Sequence, residues 1–364
     1  MQVCLVMIVK NEERVLGRCL ASVWPAVDAW FIVDTGSTDD TEGVIRAAIA
    51  EGGSKPGVLV SRPWVDFATN RTEALRLAEA TFPLHALLMM DADDELHVPG
   101  RLPDIPRTAA GANVTVRLGN IAFPRPHVFL PGHGWHYVGK VHEVALHVDD
   151  GCALVTFPDS YWIEARVEGA RSQNPNKYRD DAVILEADFN ETGSGRSLFY
   201  AAQSWRDHAD SARALPLYVQ YANTPTYWSE ERYVSCLNVV RLCPADDLDT
   251  AVQYGFLAFR VQPLRLEVAC ALLHKCRMAP AFRHDVLAMG LALLAVTRSE
   301  ATLPDTFLFR EPEVYTWRFL DELSLHAFYL GFKKLACKLM VRVLAACPET
   351  QLQRVRANIG FCGQ

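Results

Sequence analysis

The sequence predicts an α/β domain with a mainly parallel sheet, followed by an all-α domain. Three observations predict it. Strand-sized apolar runs alternate with helical patterns over the first ninety residues. Short strand patterns broken by Pro and Gly follow, from about Pro99 to Phe157. From about Arg171 the pattern is helical to the end. The predicted boundary divides residues 1–170 from 171–364.

Val3–Val9 is a continuous apolar, β-branched run, as expected of a strand buried on both faces. Asn11 is the expected cap of a helix that carries Val15, Leu16, Cys19, Leu20 and Val23 on one side. Trp30–Val33 is a second strand, and Ser37 or Thr38 is expected to cap a second helix with Val44, Ile45, Ala48 and Ile49. Gly57–Ser61, a helix from Asn70 to Ala80, and an apolar strand Leu84–Met90 complete the alternation. Such alternation predicts βαβ units, whose ligands bind beyond the carboxyl ends of the strands. Val114–Arg117, Ile121–Phe123, His127–Leu130 and Val144–Val148 read as short strands of an antiparallel extension. Helices are then expected at Lys177–Ala187, Ser197–Arg206, Ala212–Tyr221, Ser229–Leu242, Asp247–Val261 and Leu264–Cys276, with at least two more over Tyr315–Ala346. Their spacing is repeat-like but irregular.

The chain has 364 residues and a formal net charge of −7. Residues 1–168 carry 14 Lys and Arg against 22 Asp and Glu, a net of −8, and the remainder is at +1. An acidic first half is a poor electrostatic binder of nucleic acid and a good host for a cation. No run approaches the roughly 20 apolar residues of a membrane span, and the start lacks the pattern of a secretory leader. The ten cysteines form no CxxC pair. They read as packing residues of a reduced, cytoplasmic protein.

Five constellations carry chemistry. Met90-Asp91-Ala92-Asp93-Asp94-Glu95 ends an apolar strand, and its crowded carboxylates call for a hard divalent cation, which can neutralise a diphosphate leaving group. Val33-Asp34-Thr35-Gly36-Ser37-Thr38 ends another strand, where Asp34 can bind a base or ribose or simply close a turn. In Trp64–Thr72, Arg71 sits in the first turn of a helix and can clamp a phosphate or base carbonyl. Gly134–Glu143 joins Trp135 and Tyr137, which can stack on a sugar, to His142, a possible metal ligand, and Glu143, which can act as a general base. Gly169-Ala-Arg171-Ser172 with Lys177-Tyr178 is a loop and basic helix start able to fold over a diphosphate, or a plain linker.

In this order the five segments resemble family-2 glycosyltransferases of the GT-A nucleotide-diphospho-sugar transferase fold, a Rossmann-like mixed sheet. They are most similar to members with tetratricopeptide-like helices at the C-terminus. Met7–Glu13, Val33–Thr38, Asn70-Arg71-Thr72 and Asp91–Asp94 look like the family's N-terminal signatures. Tyr137–Glu143 and Arg171-Ser172 through Asp180 look like the later signatures of the helix-bearing subgroup. The resemblance implies a hexosyltransferase-type enzyme that uses a nucleotide sugar, usually a UDP-sugar, with Mn2+ or Mg2+, and inverts the anomeric carbon. It implies Asp93 as principal metal ligand with Asp91, and His142 as a further contact. It places Val9, Asn11, Glu12, Asp34, Thr35, Arg71, Asp91, Ala92, Arg171, Ser172 and Tyr178 around the nucleotide sugar. Trp135, His136, Tyr137 and Asp94 fall on the sugar and acceptor side, and Glu143 and Asp93 carry catalysis. Two departures stand out. Relatives often have Asp-Asp where this chain has Asp34-Thr35, and a His near the stretch that here reads Trp162-Ile-Glu164-Ala-Arg166, so the later metal ligand is Glu164, His142 or water. The acceptor, a glycan, a protein or a modified nucleobase, is open, with the helical domain as its docking surface. Two other readings are a silent domain attached to a helical scaffold, and a sugar-phosphate nucleotidyltransferase, whose Gly-rich loop with Lys is missing from Met1–Asn11.

Overall fold

The structure is a computed structural model that describes residues 1–53, 55–119, 121–149, 151–297 and 307–362. The chain forms two compact units, Met1–Leu185 and Glu186–Gln364. The units part inside a helix, Lys177–Thr192, beyond the 170/171 division expected from the pattern change. The first turns of that helix belong to the first unit because Ala182 and Leu185 are buried and Asp181 pairs with Arg171.

The first unit is built on β1 (Val3–Val9), β2 (Ala29–Asp34), β3 (Gly57–Ser61) and β4 (Ala86–Met89), which run parallel in the order β3-β2-β1-β4. The sheet continues through β7 (Ile121–Phe129), antiparallel to β4, and β6 (Ala109–Leu118), antiparallel to β7. Then come β11 (Trp162–Glu164), parallel to β6, and β5 (Glu95–His97), antiparallel to β11. β10 (Ala153–Thr156) also pairs with β6, and β8 (His136–Val138) forms a separate hairpin with β9 (Val144–Leu146). The two short strands expected at Ile121–Phe123 and His127–Leu130 are one strand, since the prolines at 124 and 126 stay in register opposite Thr115 and Asn113.

Alternate residues of β1 feed two cores, which is why the run is apolar throughout. Val3, Leu5, Met7 and Val9 pack with Leu16, Leu20 and Val23 of α1 (Leu16–Val23) and Ile45 of α2 (Thr41–Glu51). Cys4 and Val6 pack on the other face with Ala74, Leu75 and Ala78 of α3 (Phe67–Thr81).

The helix starts differ from expectation at three places. Asn11 does not cap α1; it takes φ 58° and its Oδ1 accepts from the Thr38 N–H at 2.7 Å. The first turn is closed by the Glu12 carbonyl, which accepts from Val15 and Leu16. Neither Ser37 nor Thr38 caps α2: Ser37 Oγ accepts from the Asn11 N–H, and Asp39 accepts from Thr41 at the helix start. α3 begins at Phe67 because the Asp66 carboxylate accepts from Thr69 N–H at 2.7 Å. Asn70 is buried in that helix and its carboxamide pins the entering loop, accepting from Val65 N–H and donating to the Pro63 carbonyl.

The second unit is a helical-repeat region. After α4 (Lys177–Thr192) come α5 (Gly195–Asp207), α6 (Ser211–Ala222), α7 (Ser229–Leu242), α8 (Leu248–Val261) and α9 (Glu267–Met278), each packed on the next from α5 onward. α10 (His284–Val296), a π-helical turn at Val314–Arg318, α11 (Phe319–Tyr329), α12 (Lys333–Leu344) and α13 (Glu349–Cys362) complete it. Expectation had missed α10 and α13. Among the described residues no helix is long and apolar enough to cross a membrane.

Candidate functional site

The carboxyl ends of β1 and β4 lie side by side, so Glu12 and the Asp91–Asp94 turn reach one region. β4 delivers the turn: Met90 N–H bonds to the Val6 carbonyl, and Asp94 N–H closes on the Asp91 carbonyl at 3.3 Å. Asp91 is ion-paired to the buried guanidinium of Arg71, whose Nε lies 2.9 Å from Glu143 Oε1. Arg71 therefore joins two carboxylates, one from each of two distant segments, under the ring of Tyr137 at 5.6 Å. Burial by itself raises the Asp91 carboxyl, yet Arg71 and then Arg125 outweigh it and hold the group at about 2. Asp94 has the opposite fate. Burial, then Asp91 and Asp93, push it up to about 8.

Asp93 is held from outside. Its Oδ2 accepts from the backbone N–H groups of Glu168 and Gly169, at 2.9 and 2.8 Å. The next N–H, of Ala170, donates to the Glu12 carboxylate. The segment that follows β11 thus lays three successive amides on two carboxylates. Gly169 fits closely there: a Cβ would stand 3.2 Å from Glu12 Oε1 and 3.3 Å from Asp93 Oδ2. Burial, together with Asp93, Asp39 and Asp91, raises Glu12 to about 7 in spite of the Ala170 hydrogen bond.

A cavity of about 380 Å3 opens beside Glu12 and Ala170, lined also by Val9, Lys10, Asn11, Thr35, Trp64, Phe67, Arg171 and Lys177. It offers aromatic faces and cations together. Trp64 and Phe67 meet edge to face at 4.8 Å, and the Arg171 guanidinium lies over Phe67 at 4.5 Å. A base or sugar can stack on such rings while a phosphate meets the cations.

Several expected residues are brought together: Val9, Asn11, Glu12, Thr35 and Arg171 around the cavity, and Asp91 and Glu143 on the buried Arg71 guanidinium. Ala92 is buried in the core beneath the turn. Others stand apart. Asp34 Oδ1 accepts from the Gly36 and Ser37 N–H groups, closing its own turn, and the residue lines a different cavity of about 510 Å3 against α2. Trp135 is a correction. It is 5% exposed, packs on Phe129 and donates its indole N–H to the Ala110 carbonyl, so its faces are core surface and no sugar platform. Tyr137 is likewise buried beside Phe129. His136 bonds to the Gly134 carbonyl at 3.0 Å, His142 is exposed at φ 56°, Ser172 donates its N–H to the Gly169 carbonyl, and Tyr178 lies on the surface. Glu164 sits with Glu95 and His97 where Arg166 and Arg18 already supply positive charge.

Sequence reasoning included Lys177 in its phosphate-facing segment but gave Trp64, Phe67 and Lys10 no role of their own. Phe67 had a legible signal, since it lies four residues before Arg71 on the same side of α3. It also passed over Arg125 and His127 on β7. His127 Nδ1 bonds to the Met89 carbonyl at 2.8 Å, and its Nε2 is buried without a partner. Burial and Arg125 lower it to about 4.

The donor set suits a hard cation. Asp93 and Asp94 are carboxylates with no cationic side chain bound to them among the described hydrogen bonds and ion pairs, and Asp91 and Asp93 add to burial in raising Asp94. The described clusters whose ligand atoms already converge are His133–Asp149–Cys152 and Glu95–His97–Glu164, neither of which includes Asp91 or Asp93.

Residues 4–179 match the family model for glycosyl transferase family 2. A TPR repeat-containing protein of Synechococcus elongatus is 40% identical over 96 residues, which is 26% of this chain and 21% of the relative. The chain thus spans about a fifth of that curated protein. Among solved structures, TarS 1-349 of S. aureus in complex with UDP-GlcNAc is 13% identical, with 77% of this chain and 90% of that chain covered at a TM-score of 0.31. A thermophilic TPR protein of Thermus thermophilus is 15% identical, covering 51% of this chain and 91% of that chain, at a TM-score of 0.30.

Proposed function

Residues 4–179 form a glycosyl transferase family 2 domain, and from that premise we propose that the chain is a metal-dependent, inverting transferase acting on a nucleotide sugar, of the UDP class, with an acceptor hydroxyl. The observation that carries this reading is a turn of closely spaced carboxylates linked, through the amides of 168–170 and Glu12, to a cavity lined by aromatic rings and cations.

In this reading Asp93, with Asp91, holds Mn2+ or Mg2+. The ion, when bound, neutralises the diphosphate and so improves the leaving group. Phe67 and Trp64 receive the base, and Arg171 and Lys177 meet phosphate oxygens. Gly169 and Ala170 hold the Asp93 and Glu12 carboxylates with their backbone N–H groups. Glu143 takes the proton of the acceptor hydroxyl as the oxygen attacks the anomeric carbon from the face opposite the leaving group. Arg71 fixes Glu143 relative to Asp91, so the base and the donor end of the site move as one piece.

One observation favours a second reading, a silent domain on a helical scaffold. Asp91 and Asp93 already have partners in Arg71 and in the amides of 168–169. Calorimetry separates the two. The transferase reading expects UDP-sugar binding that appears with Mn2+ and is lost with chelator. Absence of binding under both conditions supports the scaffold.

A further inference from the structure

The β8–β9 hairpin has two ends, and only one belongs to the site described above. Its turn, 139–143, carries Glu143. At its open end four metal-ligating side chains gather: His133 before β8, and His147, Asp149 and Cys152 after β9. Backbone pairing brings them together, since Val148 N–H bonds to the His133 carbonyl at 3.1 Å and Cys152 N–H to the Asp149 carbonyl at 3.2 Å.

His133 Nδ1 lies 3.5 Å from Asp149 Oδ2, and Cys152 Sγ lies 3.2 Å from the same oxygen. All three ligand atoms fall within 4.8 Å of one another. Tetrahedral zinc, with bonds of about 2.0–2.3 Å, holds its ligand atoms about 3.3–3.8 Å apart. The two contacts of Asp149 Oδ2 are close to that spacing. Nδ1 of His147 is buried there without a hydrogen-bond partner, and the buried Nδ1 of His133 meets only Asp149, at 3.5 Å. The His147 ring stands 6.5 Å from that of His133, centroid to centroid, and rests on Trp135 at 4.7 Å. Buried nitrogens without partners are costly unless something completes them.

Charge balance separates this cluster from the other convergent one. Glu95, His97 and Glu164 are met by the guanidinium groups of Arg18 and Arg166. Asp149 has only His133, the Cys152 thiol and backbone N–H as described partners. Mixed nitrogen, sulfur and oxygen donors select a borderline transition metal over Mg2+ or Ca2+.

We propose that His133, Asp149 and Cys152, with His147 turned inward as the fourth ligand, hold a zinc-class divalent ion that staples the open end of the β8–β9 hairpin. Cys152 binds as thiolate, so one proton leaves on binding. The site is separate from the oxygen-only set at Asp91–Asp94, and its role is to fix the strands whose turn presents Glu143.

Cobalt titration of the chelator-treated full chain tests this. One equivalent of Co2+ is expected to produce thiolate-to-cobalt charge-transfer absorption and the intense visible bands of tetrahedral coordination, both reversed by Zn2+. Cys152→Ser removes the charge-transfer band, and His133→Ala weakens binding at least tenfold. Asp93→Ala leaves both signals intact, because its donors are oxygen alone. Circular dichroism verifies that each variant is folded. No thiolate band in the wild-type chain, or an unchanged band in folded Cys152→Ser, overturns the proposal.

Discussion

Arg71 and Glu12 set the electrostatics of the site by opposite means. Arg71 is buried between Asp91 and Glu143 and keeps both in place. If Glu143 is the base, Glu143→Gln preserves shape and removes proton acceptance. The expected result is a fall in kcat of about 10²–10⁴ with donor affinity within a few-fold of wild type, measured by turnover and calorimetry. A loss of donor affinity with unchanged kcat would assign Glu143 to positioning. Glu12 predicts a pH effect. Its carboxyl is raised by burial to about 7, so the folded chain keeps a proton that the unfolded chain gives up near 4.5. Stability from this group is complete below about 4.5 and falls as pH rises to about 7, by linkage. In chelator, Glu12→Gln should match wild type in Tm near pH 4 and exceed it near pH 8. An equal difference at both values would contradict the assignment.

At the scale of elements, the alternating strands and helices of the first unit were legible because β-branched runs and helical spacing are local signals. β1 fell where its apolar run predicted, and so did the acidic turn after β4. Helix starts were less legible. Asn11, Ser37 and Thr38 have cap-forming side chains, but they spend them on each other across 26 and 27 residues. No local pattern records such a long-range exchange. The same holds for Trp135, whose place among sugar-binding candidates rested on residue type, while tertiary packing against Phe129 decided its role. The second unit hides a further example. Arg265, which the expected helix Leu264–Cys276 includes but which lies ahead of α9, is 1% exposed, bonded to Glu230 at 2.7 Å and Glu267 at 3.1 Å, and lies over Tyr233 at 4.3 Å. It ties α7 to α9. Arg265→Ala leaves two buried carboxylates unpaired and should cost about 3–5 kcal/mol, read from urea unfolding. A loss below about 1 kcal/mol would show that the ion cluster is dispensable.

For the whole molecule, the family-2 domain and the helical-repeat region were both expected from the sequence, and both are present. What local patterns could not convey was the convergence: Glu12, Asp91, Asp93 and the segment 168–170 lie far apart in the chain and meet only because β1, β4 and β11 share one sheet. The central claim is that Asp93 holds a divalent cation for nucleotide-sugar cleavage. It is tested most directly by UDP release from a panel of UDP-sugars, with and without Mn2+, for the wild-type chain and Asp93→Ala. The account predicts release from at least one donor that requires the metal and falls by about 10²-fold or more in the variant. Release by Asp93→Ala equal to that of the wild type would contradict it.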